Sequence, residues 1–145
     1  ISPPLRGEKD IKKLIKGLKD GTIDCIASNH FPHRFDDKDK DFYNAEFGAS
    51  SLEAAFASAH TILSQKNFSI RSILNLFSLN PSKIMGLKLS DIKTGSPAEL
   101  VVIDPNKKWK FKKEHIFSKS KNSPFLEQTF KGKIEFTINK NIYFG

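Results

Sequence analysis

The sequence predicts an α/β fold with a β-rich end, and three observations carry the prediction. Ile11, Leu14, Ile15 and Leu18 fall at i, i+3, i+4 and i+7, one apolar stripe of a helix. Directly after Gly21 comes a short apolar run, "TIDCIAS", bounded by glycine before it and polar residues after it. That pattern suits a buried strand of a parallel sheet, and a helix closely followed by such a strand is the signature of α/β chains. Beyond Gly86 the composition changes to β-branched runs and alternation, which predicts strands in the last third.

Taken in order, "SPPLRGEKD" begins extended, because its two prolines restrict the backbone. The first helix follows; Gly17 weakens it slightly and Gly21 serves as its C-cap. The strand over 22–28 leads into a long charged loop, 29–50. A loop longer than about 12–15 residues in a compact domain is functional or disordered, and this one leaves the end of a strand where α/β folds hold ligands. Leu52, Ala55, Phe56, Ala59 and Leu63 then form a helical face, with Ser50 or Ser51 as N-cap. Ser69 caps a further helix bearing Ile70, Ile73, Leu74 and Phe77, and "NPSKIMG" adds a short helical turn entered through Pro81 and closed by Gly86. "PAELVVIDP" reads as a strand, and "KGKIEFTINKNIYF" as a hairpin turning through Asn139–Asn141. A boundary near Ser90 separates a region 1–89 from a β region 90–145.

At 145 residues the chain is long enough for one domain with a real core, and 38% hydrophobic with 28% charged residues is an ordinary globular balance. No apolar run approaches the length of about 20 residues that spans a bilayer, so a membrane partner is not expected. The opening "ISPPLRG" lacks Met and any signal-peptide pattern, and reads as the interior of a longer protein. Cys25 is the one cysteine, so no intrachain disulfide forms, and a buried thiol in a reducing, cytoplasmic setting is expected. The net charge of +8 raises nucleic acid as a partner. Solvated lysines account for it more simply. The run "DDKDKD", Asp36 to Asp41, lacks the central Gly and terminal Glu of an EF-hand loop and is read as a solvated face.

The stretch most charged with chemistry is "SNHFPH", Ser28 to His33. Histidines this dense point to a metal or anionic-ligand site, yet an asparagine stands where such a site would want a carboxylate. The segments "PPLRG", "GLKDGTIDCIASNHFPH", "AEFGASSLEAAF", "LNPSKIMGL", "GSPAELVVIDP" and "FSKSKNSPF", in this order, resemble the C-terminal third of a dihydroorotase of the amidohydrolase superfamily. The resemblance implies the closing part of a distorted (β/α)8 metal-dependent-hydrolase barrel plus part of a small β-sandwich. It implies cyclisation of carbamoyl aspartate to dihydroorotate, a step of pyrimidine biosynthesis, with zinc as the family's cofactor. Its partners would be the N-terminal barrel portion of the same protein, a second copy in a homodimer, or aspartate transcarbamoylase, for which some members lacking the metal site act as assembly partners.

The family reads Thr-Asp-His-Ala-Pro-His where this chain reads Ser28-Asn29-His30-Phe31-Pro32-His33, so Asn29 takes the place of the proton-shuttling, metal-bound aspartate. An amide cannot accept and return a proton near neutrality, and it offers a metal only a neutral oxygen. Low or no activity follows, as does no tight zinc binding by this segment alone. Ser2 stands where the family has a substrate-contacting Asn, and Phe31 replaces a small residue. His33 matches the histidine that binds the substrate carboxylate, Phe47 and Gly48 match the Phe-Gly that contacts the ring, and Arg6 is the arginine of the Pro-Pro-Leu-Arg motif.

Plainer readings stand beside these. His30 and His33 could be loop histidines bonding backbone, Asn29 a turn residue, Phe47-Gly48 an anchor plus turn, His60 a packed helix residue, and Glu46 and Glu53 solvated or helix-start charges. Two further functions compete: a working enzyme whose proton shuttle is another group, and a basic nucleic-acid module using Lys107, Lys108, Lys110, Lys112 and Lys113 with exposed Trp109 and Phe111. The alternation at 107–113 instead predicts a strand with those aromatics turned inward.

Overall fold

In the structure, a computed structural model describing residues 1–89, 92–140 and 142–145, five helices precede a three-stranded sheet. Helix α1 (Glu8–Asp20) ends at Gly21, whose φ of 79° is the left-handed C-cap that glycine adopts without a Cβ penalty. Its predicted stripe is only partly covered. Ile15 and Leu18 are half-buried and Gly17 packs on Ile23, whereas Ile11 and Leu14 stay exposed.

The strand expected over 22–28 is not formed: residues 24–34 carry no regular secondary structure. A strand exists only through the neighbour whose amides and carbonyls it bonds. The sheet of this chain contains none of that segment, and the backbone amides of 25–30 find no acceptor among the described residues. Cys25 within it is half-buried.

A short helix, α2 (Phe35–Lys38), interrupts the long loop. Helix α3 (Leu52–Ser64) fully buries only Leu63 of the row the pattern predicts: Ala54, Ala57 and His60 are inside with it, Ala55, Phe56 and Ala59 are half-buried, and Leu52 is exposed. Apolar residues surround this helix almost completely, so periodicity could not select its inner face. Helix α4 (Ile70–Phe77) has the expected cap, Ser69 Oγ accepting from Ser72 N at 3.1 Å, and buries Ile73 and Leu76. Helix α5 (Leu79–Ile84) is followed by Gly86 at φ 64°.

Strands β1 (Leu100–Lys110), β2 (Thr129–Asn139) and β3 (Ile142–Phe144) lie in the order β1-β2-β3. The last two form the predicted antiparallel hairpin, in the register Thr137↔Phe144, Ile138↔Tyr143 and Asn139↔Ile142. Asn141, in its expected turn, and Ser90, at the expected boundary, lie outside the described residues. Phe111, just beyond β1, is fully buried, and Trp109 is half-buried with its indole Nε1 donating to Gly132 O at 3.0 Å. Phe111 therefore offers no open face for stacking on bases. Lys107 pairs with Glu135 at 2.6 Å, and Lys110 with Glu127 at 2.6 Å.

The chain groups into two compact units that interleave along the sequence. One comprises 1–56 and 110–129, and its core includes Ala54, Phe111 and Ile116. The other comprises 57–109 and 130–145, and its core includes Leu63, Ile73, Leu76 and Phe130. In the second unit His60 is buried, its Nε2 donating to Pro105 O at 2.9 Å, which makes it a packed helix residue. No described helix is long and apolar enough to cross a membrane.

Candidate functional site

All five candidate residues fall in the unit formed by 1–56 and 110–129, and two local geometries hold them. Asn29 sits at φ 45°, a left-handed conformation that Asn tolerates because its short polar side chain bonds locally. Its amide nitrogen donates to the carbonyl oxygen of Ser2, next to the cis Ser2–Pro3 bond. The Asn29 side chain is thus a clamp between two segments far apart in the sequence.

The second geometry laces 28–33 to 46–51. Ser51 Oγ donates to Ser28 O at 2.8 Å, and Phe31 N donates to Ala49 O at 3.0 Å. His33 Nε2 lies 2.7 Å from Phe47 O; since a carbonyl only accepts, the ring proton is on Nε2. Lys38 Nζ adds bonds to Glu46 O at 2.5 Å and Gly48 O at 3.1 Å. Gly48 is required here: its φ is 132°, and a Cβ would stand 2.4 Å from Phe31 O. What crowds it is the chain's own backbone. Phe31 meets the His33 ring edge-on at 4.7 Å and remains exposed, as does Phe47.

His30 bonds backbone, as the plainer reading of the loop histidines has it, and the helix it serves is what the sequence did not name. Its Nδ1 accepts from both Ser51 N and Leu52 N, each at 3.1 Å, and so meets the orphan amides at the start of α3. The hydroxyls expected to cap that helix donate elsewhere, Ser51 to Ser28 O and Ser50 to Ser120 O at 2.8 Å. Glu53 is the expected helix-start charge of α3, with partners the sequence did not name. Its Oε1 accepts from Phe117 N at 2.9 Å and Ser118 N at 3.1 Å, while its buried Oε2 has no partner among the described residues. With Ser50 N donating to Asn122 O at 2.7 Å, these bonds fasten the 117–122 loop. A Glu in the first helical turn followed by a Ser/Asn-rich loop is the only signal that pointed to this, and it says nothing about pairing.

Among the described residues no three His, Cys, Asp or Glu side chains converge. Asn29 is neutral and already donating, and His30 Nδ1 is committed to two amides. Arg6 lines a shallow hollow with Asp10 and Lys13, to which none of the candidate residues contributes.

Helix and sheet, the bonded motif segments and the sequence now have a family. The model of the amidohydrolase family matches residues 2–140, and the chain belongs to that family. It is 45% identical over 139 residues to a dihydroorotase of Caldicellulosiruptor saccharolyticus, covering 95% of this chain and 32% of that protein. The chain therefore spans about a third of the length of the curated relatives it matches, their C-terminal third. In structure it is similar to the L-hydantoinase (dihydropyrimidinase) of Arthrobacter aurescens, with a TM-score of 0.87 at 26% identity over 99% of this chain and 33% of the other. The fold is also that of the inactive dihydroorotase-like domain of the Chaetomium thermophilum CAD-like multifunctional protein, at TM-score 0.68 and 16% identity over 96% of this chain and 36% of that one.

Proposed function

We propose that this chain is the C-terminal part of a dihydroorotase-family protein whose turnover is lost or severely reduced because Asn29 replaces the catalytic carboxylate. The single observation that carries the reading is the commitment of the Asn29 amide to Ser2 O. A carboxylate in the same rotamer would set one acceptor against another, so the local structure is adapted to the amide. Ser2 gives up its carbonyl to this clamp, and the Nε2–H of His33 is spent on Phe47 O. A substrate carboxylate would have to displace that bond. The ancestral reaction is cyclisation of carbamoyl aspartate in pyrimidine biosynthesis, a cytoplasmic process. The zinc of that chemistry finds no fitting donor set in this segment, so no step is assigned to it here.

The proposal includes an architecture. Residues 1–89 supply the last barrel strand, the active-site loop and flanking helices, and 90–145 supply part of a β-sandwich. The free amides of 25–30 and the exposed Ile11 and Leu14 support this reading, since each is what a neighbouring strand and helix would cover. The first partner is accordingly the N-terminal portion of the same protein. A second reading, a non-catalytic member supporting aspartate transcarbamoylase assembly, is favoured by the same neutral Asn29.

The deciding experiment is the rate of dihydroorotate hydrolysis by the whole protein beside a relative that carries aspartate at this position. The expected rate is lower by about 10²–10⁴-fold, the usual share of general-base catalysis. A rate equal to the relative's would overturn the reading.

A further inference from the structure

We infer that the unit formed by 1–56 and 110–129 carries a binding site for a phosphorylated metabolite of nucleotide size, in an open cavity of about 830 Å³ beside the candidate site. The cavity shares His33 with that site and none of Ser2, Asn29, Phe47 or Gly48. Its lining has five cationic side chains, Arg34, Lys38, Lys113, Lys119 and Lys121, against one carboxylate, Asp39. Like charges gathered in one concavity repel one another and raise the local concentration of anions.

The cations divide by what holds them. Arg34 shares its charge with Asp37 at 3.3 Å, while Lys38 and Lys121 donate to backbone carbonyls and so keep their positive charge uncompensated. Lys113 and Lys119 meet no carboxylate among the described residues. Ser118, Ser120 and Ser123 add hydroxyls to the same wall. Ammonium groups interleaved with hydroxyl donors suit a phosphate, with its several acceptor oxygens. The wall is held in place, because Glu53 binds the amides of Phe117 and Ser118 and Ser50 binds the carbonyls of Ser120 and Asn122.

Size and the remaining lining narrow the ligand. Pro32, Phe35 and Leu126 supply an apolar part, which a bare phosphate would leave unused. The volume lies in the range of about 300–1,000 Å³ typical of small-molecule sites. A phosphate ester carrying a planar ring, as in a nucleoside 5′-monophosphate, uses both the cationic rim and the apolar patch.

The test titrates the whole protein with adenosine and uridine 5′-monophosphates, the matching nucleosides, inorganic phosphate and a single-stranded oligonucleotide, at low and at physiological salt. The expected result is nucleotide binding about tenfold or more tighter than that of phosphate or nucleoside, weakening as salt rises. Lys113→Glu with Lys119→Glu should lower nucleotide affinity about tenfold or more with an unchanged unfolding midpoint, because both side chains are exposed and unpaired with acids. Phe35→Ala should weaken nucleotide but leave phosphate binding as it was. Nucleotide binding indifferent to the lysine pair, phosphate binding as tight as nucleotide, affinity that simply grows with oligonucleotide length, or no binding of any probe would each overturn the inference. None of these outcomes depends on dihydroorotate turnover.

Discussion

Replacing Asn29 by aspartate tests the central reading on two axes at once. The backbone at φ 45° accepts either residue, so the change is confined to one group: an NH₂ that donates to Ser2 O becomes an oxygen that cannot. Losing the bond and opposing two acceptors at this exposed position should cost about 1–2 kcal/mol of stability. On the other axis, a returned general base is worth about 3–5 kcal/mol of barrier, or about 10²–10⁴ in rate. Asn29→Asp in the whole protein, with zinc in the buffer, should therefore raise dihydroorotate hydrolysis at least about tenfold while lowering the denaturant midpoint. The assay is kcat and KM together with unfolding of both proteins. If other groups of the site have also decayed, the stability loss appears without turnover, since catalytic groups that act as a unit are not additive. Robust wild-type activity that the substitution leaves unchanged or lowers would refute the role given to Asn29. A variant as stable as wild type would refute the clamp to Ser2.

Three further substitutions or titrations probe the geometry. Gly48→Ala should destabilise by about 1–3 kcal/mol through backbone strain at φ 132° and the clash with Phe31 O, read as a shifted unfolding midpoint and lost protection of the Phe31 amide; unchanged protection would count against it. Gly132→Ala, whose Cβ would meet His60 Cδ2 at 2.4 Å at φ 89°, should cost about 1–3 kcal/mol and shift the emission of Trp109, the one tryptophan, whose indole donates to Gly132 O; unaltered fluorescence and stability would sink the idea. The Asn44 side-chain amide, then its backbone N–H, hold the Asp41 carboxyl below its ordinary 3.8, aided by Tyr43 N–H and opposed by desolvation. The lowered value means that the turn at 41–44 is stabilised above pH 3.8 and loses this as pH falls through the folded-state value; an NMR titration of Asp41 with a midpoint at or above 3.8 would contradict it.

Local rules reached far into this molecule. Helix α1 with its Gly21 cap, the Ser69 cap and the β2–β3 hairpin each depend on a few neighbouring residues, so the sequence by itself determined them. The motif around Asn29 was legible for the same reason: it is contiguous, and the inability of an amide to take and return a proton near neutrality is chemistry that no fold can alter. Tertiary structure alone decided what depends on residues far apart in the chain. A strand at 22–28 needs a neighbour that the segment cannot encode. The inner face of α3 could not be chosen where nearly every face is apolar. His30 capping a helix that begins at Leu52, Glu53 holding amides at 117 and 118, and Asn29 bound to Ser2 all arise from long loop closures. Gly48 carries the contrast in one residue. The resemblance matches it to a ring-contacting glycine, and only the folded chain shows that a Cβ there would meet the carbonyl of Phe31, because steric contact belongs to three dimensions and not to spacing.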